Sequence, residues 1–202
     1  MADRNFTAAA ELFGLVLAGG SSLRMGTDKG RLEYHGESQV VWAERTLSSV
    51  CASTFVSVND DQSQKMPYRD LPLIVDTESI GGPARGLLSA HARYPSAAWL
   101  VIGVDMPFLN AKTLTDLVSA RDPRSLATCY ARGEGMPEPL CAIWEPPALE
   151  LLAERCANGD ASLSRCLRSA ATQLLKLPDN QSLKSINTAE EKALAERVLR
   201  DS

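Results

Sequence analysis

The chain has 202 residues, of which 45% are hydrophobic and 23% charged, as in an ordinary globular protein with a sizeable core. A net charge of -4, without any run of lysine or arginine, excludes a global field that would attract nucleic acid or an anionic membrane. The five cysteines form no C-x-x-C pair, and no apolar stretch approaches the roughly 20 residues of a membrane span, so we expect a soluble, unprocessed cytoplasmic protein without disulfides.

Strands and helices alternate along the first 120 residues. A continuous apolar run from Leu12 to Ala18 predicts a strand buried on both faces, ending at Gly19-Gly20. The further predicted strands of this part are 54–58, 71–75 and 99–104, and the predicted helices are 39–50, one that opens at Gly82-Pro83, and 110–120. Pro72 predicts a strand start or a sheet edge for the third strand.

The last third keeps the alternation less regularly. The predicted strands are 125–131, 139–144 and 172–177, and the predicted helices are 147–157, 161–170 and 189–200. Thr188 and Glu191 have the spacing of a capping box for the final helix. We predict one domain over 1–202, with a nucleotide-binding half at about 12–120 and an acceptor-binding half at about 121–202.

This order of elements predicts an α/β fold, a Rossmann-like three-layer sandwich whose mostly parallel sheet has helices on both faces. Ligands of such sheets bind at the carboxyl ends of the strands. Gly19, Asn59, Asp76 and Asp105 each follow the end of a predicted strand. We therefore expect these four positions to converge on one edge of the sheet.

The segment from Leu17 to Lys29, LAGGSSLRMGTDK, is typical of a phosphate-binding turn. Consecutive glycines after a buried strand let backbone N–H groups approach an anion, and Arg24 and Lys29 add positive charge. The spacing fits neither a Walker A loop nor G-x-G-x-x-G. The alternative, a solvated turn with two basic residues on its rim, explains less of the pattern.

Asp105 follows the most apolar predicted strand and precedes Met106-Pro107. A carboxylate at that position is costly unless it is paired or binds a metal ion. Mg²⁺ takes one or two carboxylates together with phosphate oxygens, which suits an aspartate facing a phosphate-binding turn. The alternative is an aspartate that caps the turn before Pro107.

Together with three later motifs, the glycine segment resembles the molybdenum cofactor guanylyltransferases, the enzymes that make molybdopterin guanine dinucleotide. The family pattern LAGGxSxRMGxDK is matched, and the motifs run in family order from residue 15 to about 190. The later motifs are Gly82-Pro83-Ala84-Arg85-Gly86-Leu87, Asp105-Met106-Pro107 and Pro139-Leu140. The resemblance implies the nucleotide-diphospho-sugar transferase type of fold, and LAGG rather than LAAG tends to accompany guanine in that family.

The resemblance also implies residue roles. The residues expected to contact the guanine nucleotide are Leu17, Ala18, Gly19, Gly20, Lys29, Asn59, Asp76 and Asp105. Of these, Lys29 would bind the phosphates, Asn59 and Asp76 the nucleoside, and Asp105 Mg²⁺. Pro139, Leu140 and Asn187 are candidates for the acceptor, although the two prolines around Glu138 also fit a plain loop and Asn187 a helix entry.

The implied reaction transfers GMP from GTP to molybdopterin or the molybdenum cofactor, with Arg24, Lys29 and Asp105 as catalytic residues. Protein partners would be enzymes of molybdenum cofactor biosynthesis or their targets. The alternatives are a cytidylyltransferase of the same cofactor, another sugar- or alcohol-phosphate nucleotidyltransferase, and a non-catalytic nucleotide-binding module. His35 and His91 show no metal-ligand spacing and are expected to be structural.

Overall fold

The computed structural model describes residues 9–19, 28–77, 79–177, 179 and 181–200. Seven strands lie in these ranges: β1 Leu12–Leu17, β2 Thr54–Val58, β3 Leu73–Val75, β4 Ala98–Gly103, β5 Ala127–Arg132, β6 Met136–Trp144 and β7 Thr172–Lys176. The α-helices are α1 Gln39–Ser48, α2 Asp60–Ser63, α3 Pro83–Arg93, α4 Ala111–Ser119, α5 Pro146–Ala157, α6 Leu163–Ser169 and α7 Ala189–Arg200. None of the described helices is long and apolar enough to cross a bilayer.

The seven strands form one sheet in the order β3-β2-β1-β4-β6-β5-β7. Strands β3, β2, β1 and β4 are mutually parallel, as are β5 and β7, while β6 runs antiparallel to both of its neighbours. The chain leaves β1 toward β2 on one side and returns to β4 on the other. This reversal opens a crevice at the carboxyl ends of β1 and β4, where ligands of open α/β sheets bind.

Side chains of the central strands alternate between two buried clusters, one on each face of the sheet. Val16 of β1 packs in the cluster that holds residues of α1 and α4. Its neighbour Leu15 packs in the cluster formed with α3, α5 and α6. The predicted three-layer α/β architecture is therefore confirmed, and β1 and β4 are buried on both faces as their apolar sequences indicated.

Several predicted local signals are also found. Pro83 is the first residue of α3, and the side chain of Asn110 caps α4 by accepting from the Thr113 N–H at 2.9 Å. Thr188 and Glu191 form the reciprocal capping box at the start of α7, since each accepts a hydrogen bond from the backbone N–H of the other. Pro72 immediately precedes β3, which is an edge strand of the sheet.

Strand β6 begins at Met136 and not at residue 139 as predicted, so it includes two prolines. Residues 141–144 pair with β4, whereas the preceding part of β6, with Pro137 and Pro139, extends beyond β4 and has only β5 beside it. A proline lacks the N–H that a strand between two neighbours donates, so it is tolerated where one side of the strand has no partner. The short helix α2 was not predicted.

Candidate active site

A cleft of about 270 Å³ opens at the carboxyl ends of β1 and β4, at the point where the strand order reverses. Leu17, Ala18 and Gly19 form one wall, and Asp105 lies on another. Lys29, Asp76 and Leu140 complete much of the lining. Seven of the residues predicted from the sequence to bind nucleotide or acceptor are thus brought to one cleft.

Lys29 and Asp105 meet at the mouth of this cleft. The Lys29 ammonium donates to Asp105 Oδ2 at 2.9 Å and to Asn187 Oδ1 at 2.7 Å. The Lys29 and Asp105 side chains are each 18% exposed, so the pair is partly screened but still open to a ligand. An ammonium has three donors, which leaves one N–H of Lys29 for a further acceptor.

The 3-10 turn Lys29–Arg31 orients Lys29, and the segment before α7 supplies Asn187. Asp28 caps the turn by accepting from the Gly30 N–H at 3.0 Å. The backbone N–H of Ile186 donates to the Asp105 carbonyl at 2.9 Å, which binds the C-terminal segment to the loop after β4. Three distant parts of the chain therefore deliver a cation, a carboxylate and an amide to one place.

Asp76 lines the same cleft beside Gly19 and is held by its neighbours. Ser57 Oγ donates to Asp76 Oδ1 at 2.7 Å. Burial raises the pKa of the Asp76 carboxyl above its ordinary value, while the hydrogen bond from Ser57 and the charge of Arg85 lower it. A carboxylate kept in place at this cost is suited to accept hydrogen bonds from a ligand.

Glycines let the backbone approach Asp76 and Ser57. A Cβ at Gly19 would lie 2.5 Å from Asp76 Oδ2, and a Cβ at Gly86 would meet Ser57 Oγ. Both glycines line the cleft. The shape of the cleft thus depends on the close approach of β1, β2 and α3. A side chain in place of either glycine would prevent that approach.

The other residues predicted at the nucleotide site are Gly20, Arg24 and Asn59. Gly20 and Arg24 lie outside the described residues. Asn59 lies beside the cleft, with its backbone nitrogen 3.5 Å from a Cβ built on Gly19, but it is not among the lining residues. Its side-chain oxygen accepts from the Gln62 N–H at 2.9 Å as the N-cap of α2. A nucleoside contact from Asn59 remains a prediction.

A network that the sequence analysis missed lies behind the cleft. Asp28 Oδ1 accepts from Tyr68 Oη at 2.6 Å, and Asp28 Oδ2 accepts from Gln62 Nε2 at 3.1 Å. Gln62 Nε2 also donates to the carbonyl oxygen of Ala18 at 3.0 Å. The spacing of Asn59 and Gln62, that of a capping box, was the one sequence signal that could have located α2 and hence this amide.

A second, more open cavity of about 540 Å³ adjoins Asn187. It lies between the ends of β5 and β7 and the segment before α7, and its basic lining residues are Arg132, Lys176 and Lys184. Within the described residues neither lysine forms an ion pair, whereas the Arg132 Nε is 2.7 Å from Glu138 Oε2. Asn187 therefore stands between the two cavities.

The remaining acceptor candidates flank the first cleft. Leu140 lines it, and the backbone N–H of Leu140 donates to the buried Glu138 carboxylate at 2.9 Å. The Pro139 carbonyl accepts from Trp144 Nε1 at 3.3 Å. Glu138 is thus engaged in fixing the strand, which gives this segment a structural role whatever it binds.

His35 has the structural role expected of it. Its ring stacks on Trp42 with the centroids 4.2 Å apart, and its Nε2 lies 2.9 Å from the Pro107 carbonyl oxygen. This contact ties the chain after the 3-10 turn to the loop that carries Asp105. His91 is part of the helix α3.

Comparison with known proteins identifies the family to which the chain belongs. The family model of the MobA-like NTP transferase domain matches residues 14–177. The chain is 35% identical over 182 residues to the molybdenum cofactor biosynthesis bifunctional protein of Synechocystis sp., covering 89% of this chain but only 52% of that protein. This chain spans about half the length of that relative.

A second relative is comparable in length to this chain. The molybdenum cofactor guanylyltransferase of Pseudomonas fluorescens is 32% identical over 180 residues, covering 87% of this chain and 89% of that protein. The crystal structure of molybdopterin-guanine dinucleotide biosynthesis protein A from Archaeoglobus fulgidus superposes with a TM-score of 0.80 at 22% identity, covering 94% of this chain and 100% of the other, a likeness of fold. With this fold, and with the family model spanning most of its length, the chain belongs to the MobA-like NTP transferase family.

Proposed function

We propose that this protein is a guanylyltransferase that moves GMP from GTP onto the phosphate of molybdopterin or the molybdenum cofactor and releases pyrophosphate. The observation that carries the proposal is the contact between Lys29 and Asp105 at the mouth of a glycine-walled cleft. A cation suited to a polyphosphate and a carboxylate suited to a divalent metal ion stand there side by side. The names of the curated relatives supply GTP and the acceptor.

The transfer forms a bond between an acceptor phosphate oxygen and the α-phosphorus, and breaks the bond from that phosphorus to the oxygen of the leaving pyrophosphate. A phosphate monoester, with a second pKa near roughly 6, is already mostly a dianion at neutral pH, so the reaction needs no general base. The barrier is repulsion between anions. Lys29 lowers it by placing positive charge and an N–H donor beside the phosphates.

Asp105 fits the role of a Mg²⁺ ligand. No group of three His, Cys, Asp or Glu side chains capable of holding a metal ion occurs among the described residues. A single carboxylate beside a phosphate-binding wall is the donor set that Mg²⁺ accepts when nucleotide oxygens supply further ligands. Bound at Asp105, the ion would add positive charge at the transferred phosphoryl group.

The two cavities suggest how the substrates share the protein. We propose that GTP occupies the cleft between Gly19 and Asp105, with its nucleoside toward Asp76, and that the acceptor reaches the α-phosphate from the cavity beyond Asn187. Lys176 and Lys184, which form no ion pair with any residue that the structure describes, would favour an anionic acceptor there. We also propose a cytoplasmic setting, since none of the five cysteines, all within the described residues, forms a disulfide.

The test is transfer to molybdopterin by the purified protein with Mg²⁺, with GTP and CTP in competition, followed by mass spectrometry and pyrophosphate release. The proposal predicts the guanylyl adduct. A cytidylyl adduct instead, or transfer only to a different phosphate acceptor, would replace it with one of the alternative nucleotidyltransferases. Nucleotide binding without pyrophosphate release with any acceptor would indicate a non-catalytic module.

A further inference from the structure

One buried amide joins the two ends of the glycine segment. Near its start, Ala18 directly follows β1, and near its end Asp28 is the N-cap of the 3-10 turn. Gln62 Nε2 donates to the Ala18 carbonyl at 3.0 Å and to Asp28 Oδ2 at 3.1 Å. Gln62 is 7% exposed, so these bonds are shielded from competing water. A side chain from α2 therefore connects residues ten positions apart in the sequence.

The orientation of this amide is set by its own helix. Gln62 Oε1 accepts from the Asn59 N–H at 3.1 Å, which directs the nitrogen rather than the oxygen toward Ala18 and Asp28. Asn59 in turn accepts from the Gln62 N–H, completing the capping box of α2. The four-residue helix thus presents a donor in a fixed position.

Tyr68 holds the same carboxylate from a second direction. Its hydroxyl donates to Asp28 Oδ1 at 2.6 Å, and the ring is fully buried. Burial, and next the hydrogen bond to Asp28, raise the pKa of the Tyr68 phenol, so it remains protonated and a donor. Asp28 Oδ1 also accepts from the Gly30 N–H, and in this way the tyrosine and the 3-10 turn share one oxygen.

Fixing Asp28 fixes Lys29. Asp28 precedes Lys29 directly and caps the turn in which Lys29 lies, and Lys29 points from that turn to Asp105 and Asn187. At the other end, holding the Ala18 carbonyl holds the residue before Gly19 against the cleft wall. Neither Gln62 nor Tyr68 lines the cleft itself.

We propose that Gln62 and Tyr68 are positioning residues for nucleotide binding and transfer, which set the distance between the Gly19 wall and the Lys29 ammonium. This inference rests on the proposed function, because it assumes that both ends of the segment contact the nucleotide. A network that served stability alone would leave the affinity of the folded protein for nucleotide unchanged.

Tyr68→Phe tests the inference, with Tyr130→Phe as the matched control. Tyr130 is also buried, and its hydroxyl donates to the Thr113 carbonyl of α4 at 2.8 Å, a bond that involves none of Gln62, Tyr68 and Asp28. Each variant loses the hydrogen bond that a buried tyrosine hydroxyl donates, and Tyr68→Phe also loses the longer bond that the Tyr68 oxygen accepts from Gln62 Nε2 at 3.4 Å. The readouts are the Kd for GTP with Mg²⁺ by titration calorimetry, kcat and KM, all corrected for the folded fraction.

We expect Tyr68→Phe to weaken GTP binding and lower kcat/KM by roughly 10- to 100-fold, since small misplacement of a binding group has effects of that size. Tyr130→Phe should stay within about twofold of the wild type in both, although its thermal stability falls. Gln62→Met, which keeps the side-chain length and removes both donors, should behave like Tyr68→Phe.

Equal GTP affinity and kcat/KM in Tyr68→Phe, Gln62→Met and Tyr130→Phe would overturn the inference. The failure of the proposed function is a separate result, because a wild type that binds GTP but transfers no guanylyl group leaves the affinity comparison intact. A wild type that binds no nucleotide would overturn both.

Discussion

Lys29 and Asp105 carry opposite charges, and each serves as the other's partner in one ion pair. The ammonium satisfies the aspartate, and it also points two of its three donors at side chains of the cleft mouth. A polyphosphate with its metal ion can take over both partners without leaving either charge unpaired. Each residue can therefore exchange its partner for a ligand group at a small cost in free energy. In a fully buried ion pair the same exchange would be costly.

Replacing either residue should abolish most of the turnover and spare the fold. We expect Lys29→Ala and Asp105→Ala each to lower kcat/KM by roughly 10²- to 10³-fold, the usual effect of losing one group that stabilises transition-state charge. Lys112→Ala is the control, because Lys112 is 81% exposed and, among the described residues, its ion pair is with Asp116 of the same helix, α4. Steady-state kinetics and circular dichroism measure the two effects; near-normal turnover in both cleft variants would refute their roles.

Burial of the Asp76 carboxylate should lower the stability of the folded protein near neutral pH. The folded-state pKa of Asp76 is raised, so the folded protein binds this proton more tightly than the unfolded chain does. Stability from this group is greatest below the unfolded-state pKa of about 3.9 and falls as pH rises through the folded-state pKa. Asp76→Asn keeps an acceptor for Ser57 and removes the charge.

We therefore expect Asp76→Asn to unfold at higher urea concentration than the wild type at pH 7, and to lose this advantage as the pH approaches 4. The same variant should bind GTP more weakly. Urea titrations at several pH values measure the difference in the free energy of unfolding. A variant that is less stable than the wild type at pH 7 would show that the carboxylate is not held at a cost.

At the scale of elements, α3 approaches β2 so closely that only glycine fits between them. A Cβ at Gly86 would meet Ser57 Oγ and would lie 2.8 Å from Leu17 Cδ2. Ser57 is the donor that holds Asp76, so displacement of α3 is transmitted to the cleft. The packing of α3 on the sheet therefore also determines the geometry of the site.

Gly86→Ala should destabilise the protein by roughly 1–3 kcal/mol, as overpacking does, even though alanine favours a helix. It should also raise KM for GTP. Gly81→Ala is the matched control, because a Cβ there meets nothing within 4 Å and it should be close to neutral. Thermal unfolding and kinetics decide; equal stability of the two variants would mean that α3 moves freely on the sheet.

At the scale of the whole molecule, one buried ion pair joins segments far apart in the chain. Arg121, after α4, donates to both oxygens of Glu145, before α5, at 2.7 and 2.9 Å, and also to the Ala10 carbonyl at 2.8 Å. The side chains are 12% and 4% exposed. Removal of one partner leaves the other charge buried and uncompensated.

Arg121→Ala or Glu145→Ala should therefore lower the free energy of unfolding by roughly 3–5 kcal/mol. Removing Lys112 or Asp116 of the exposed pair on α4 should cost less than about 1 kcal/mol. Urea denaturation of the four single variants gives the comparison. A cost for the buried pair as small as that for the surface pair would contradict this account of how the segments are held.

Much of this molecule could be predicted from local patterns. The apolar runs of β1 and β4, the proline that opens α3 and the asparagine that caps α4 each act within a few residues, and all are confirmed. The convergence of Gly19, Asp76 and Asp105 followed from parallel strands alone. The roles of the site residues remain predictions.

What the sequence could not indicate depends on pairing between distant elements. The prolines of β6 argued against a long strand, and only the absence of β4 beside that part of β6 makes them acceptable. The contact of Gln62 with Ala18 and Asp28 requires the position of α2 relative to β1. The contact of Asn187 with Lys29 joins residues 158 positions apart, which no local pattern specifies.

The central claim, that the cleft between Gly19, Lys29 and Asp105 holds the polyphosphate of a nucleotide, is tested most directly by a crystal structure with Mg²⁺ and a non-hydrolysable GTP analogue. We expect phosphate oxygens within hydrogen-bond distance of the Lys29 ammonium and the cation bound to the Asp105 carboxylate. Phosphates lodged elsewhere, with Asp105 turned away from the cation, would contradict it.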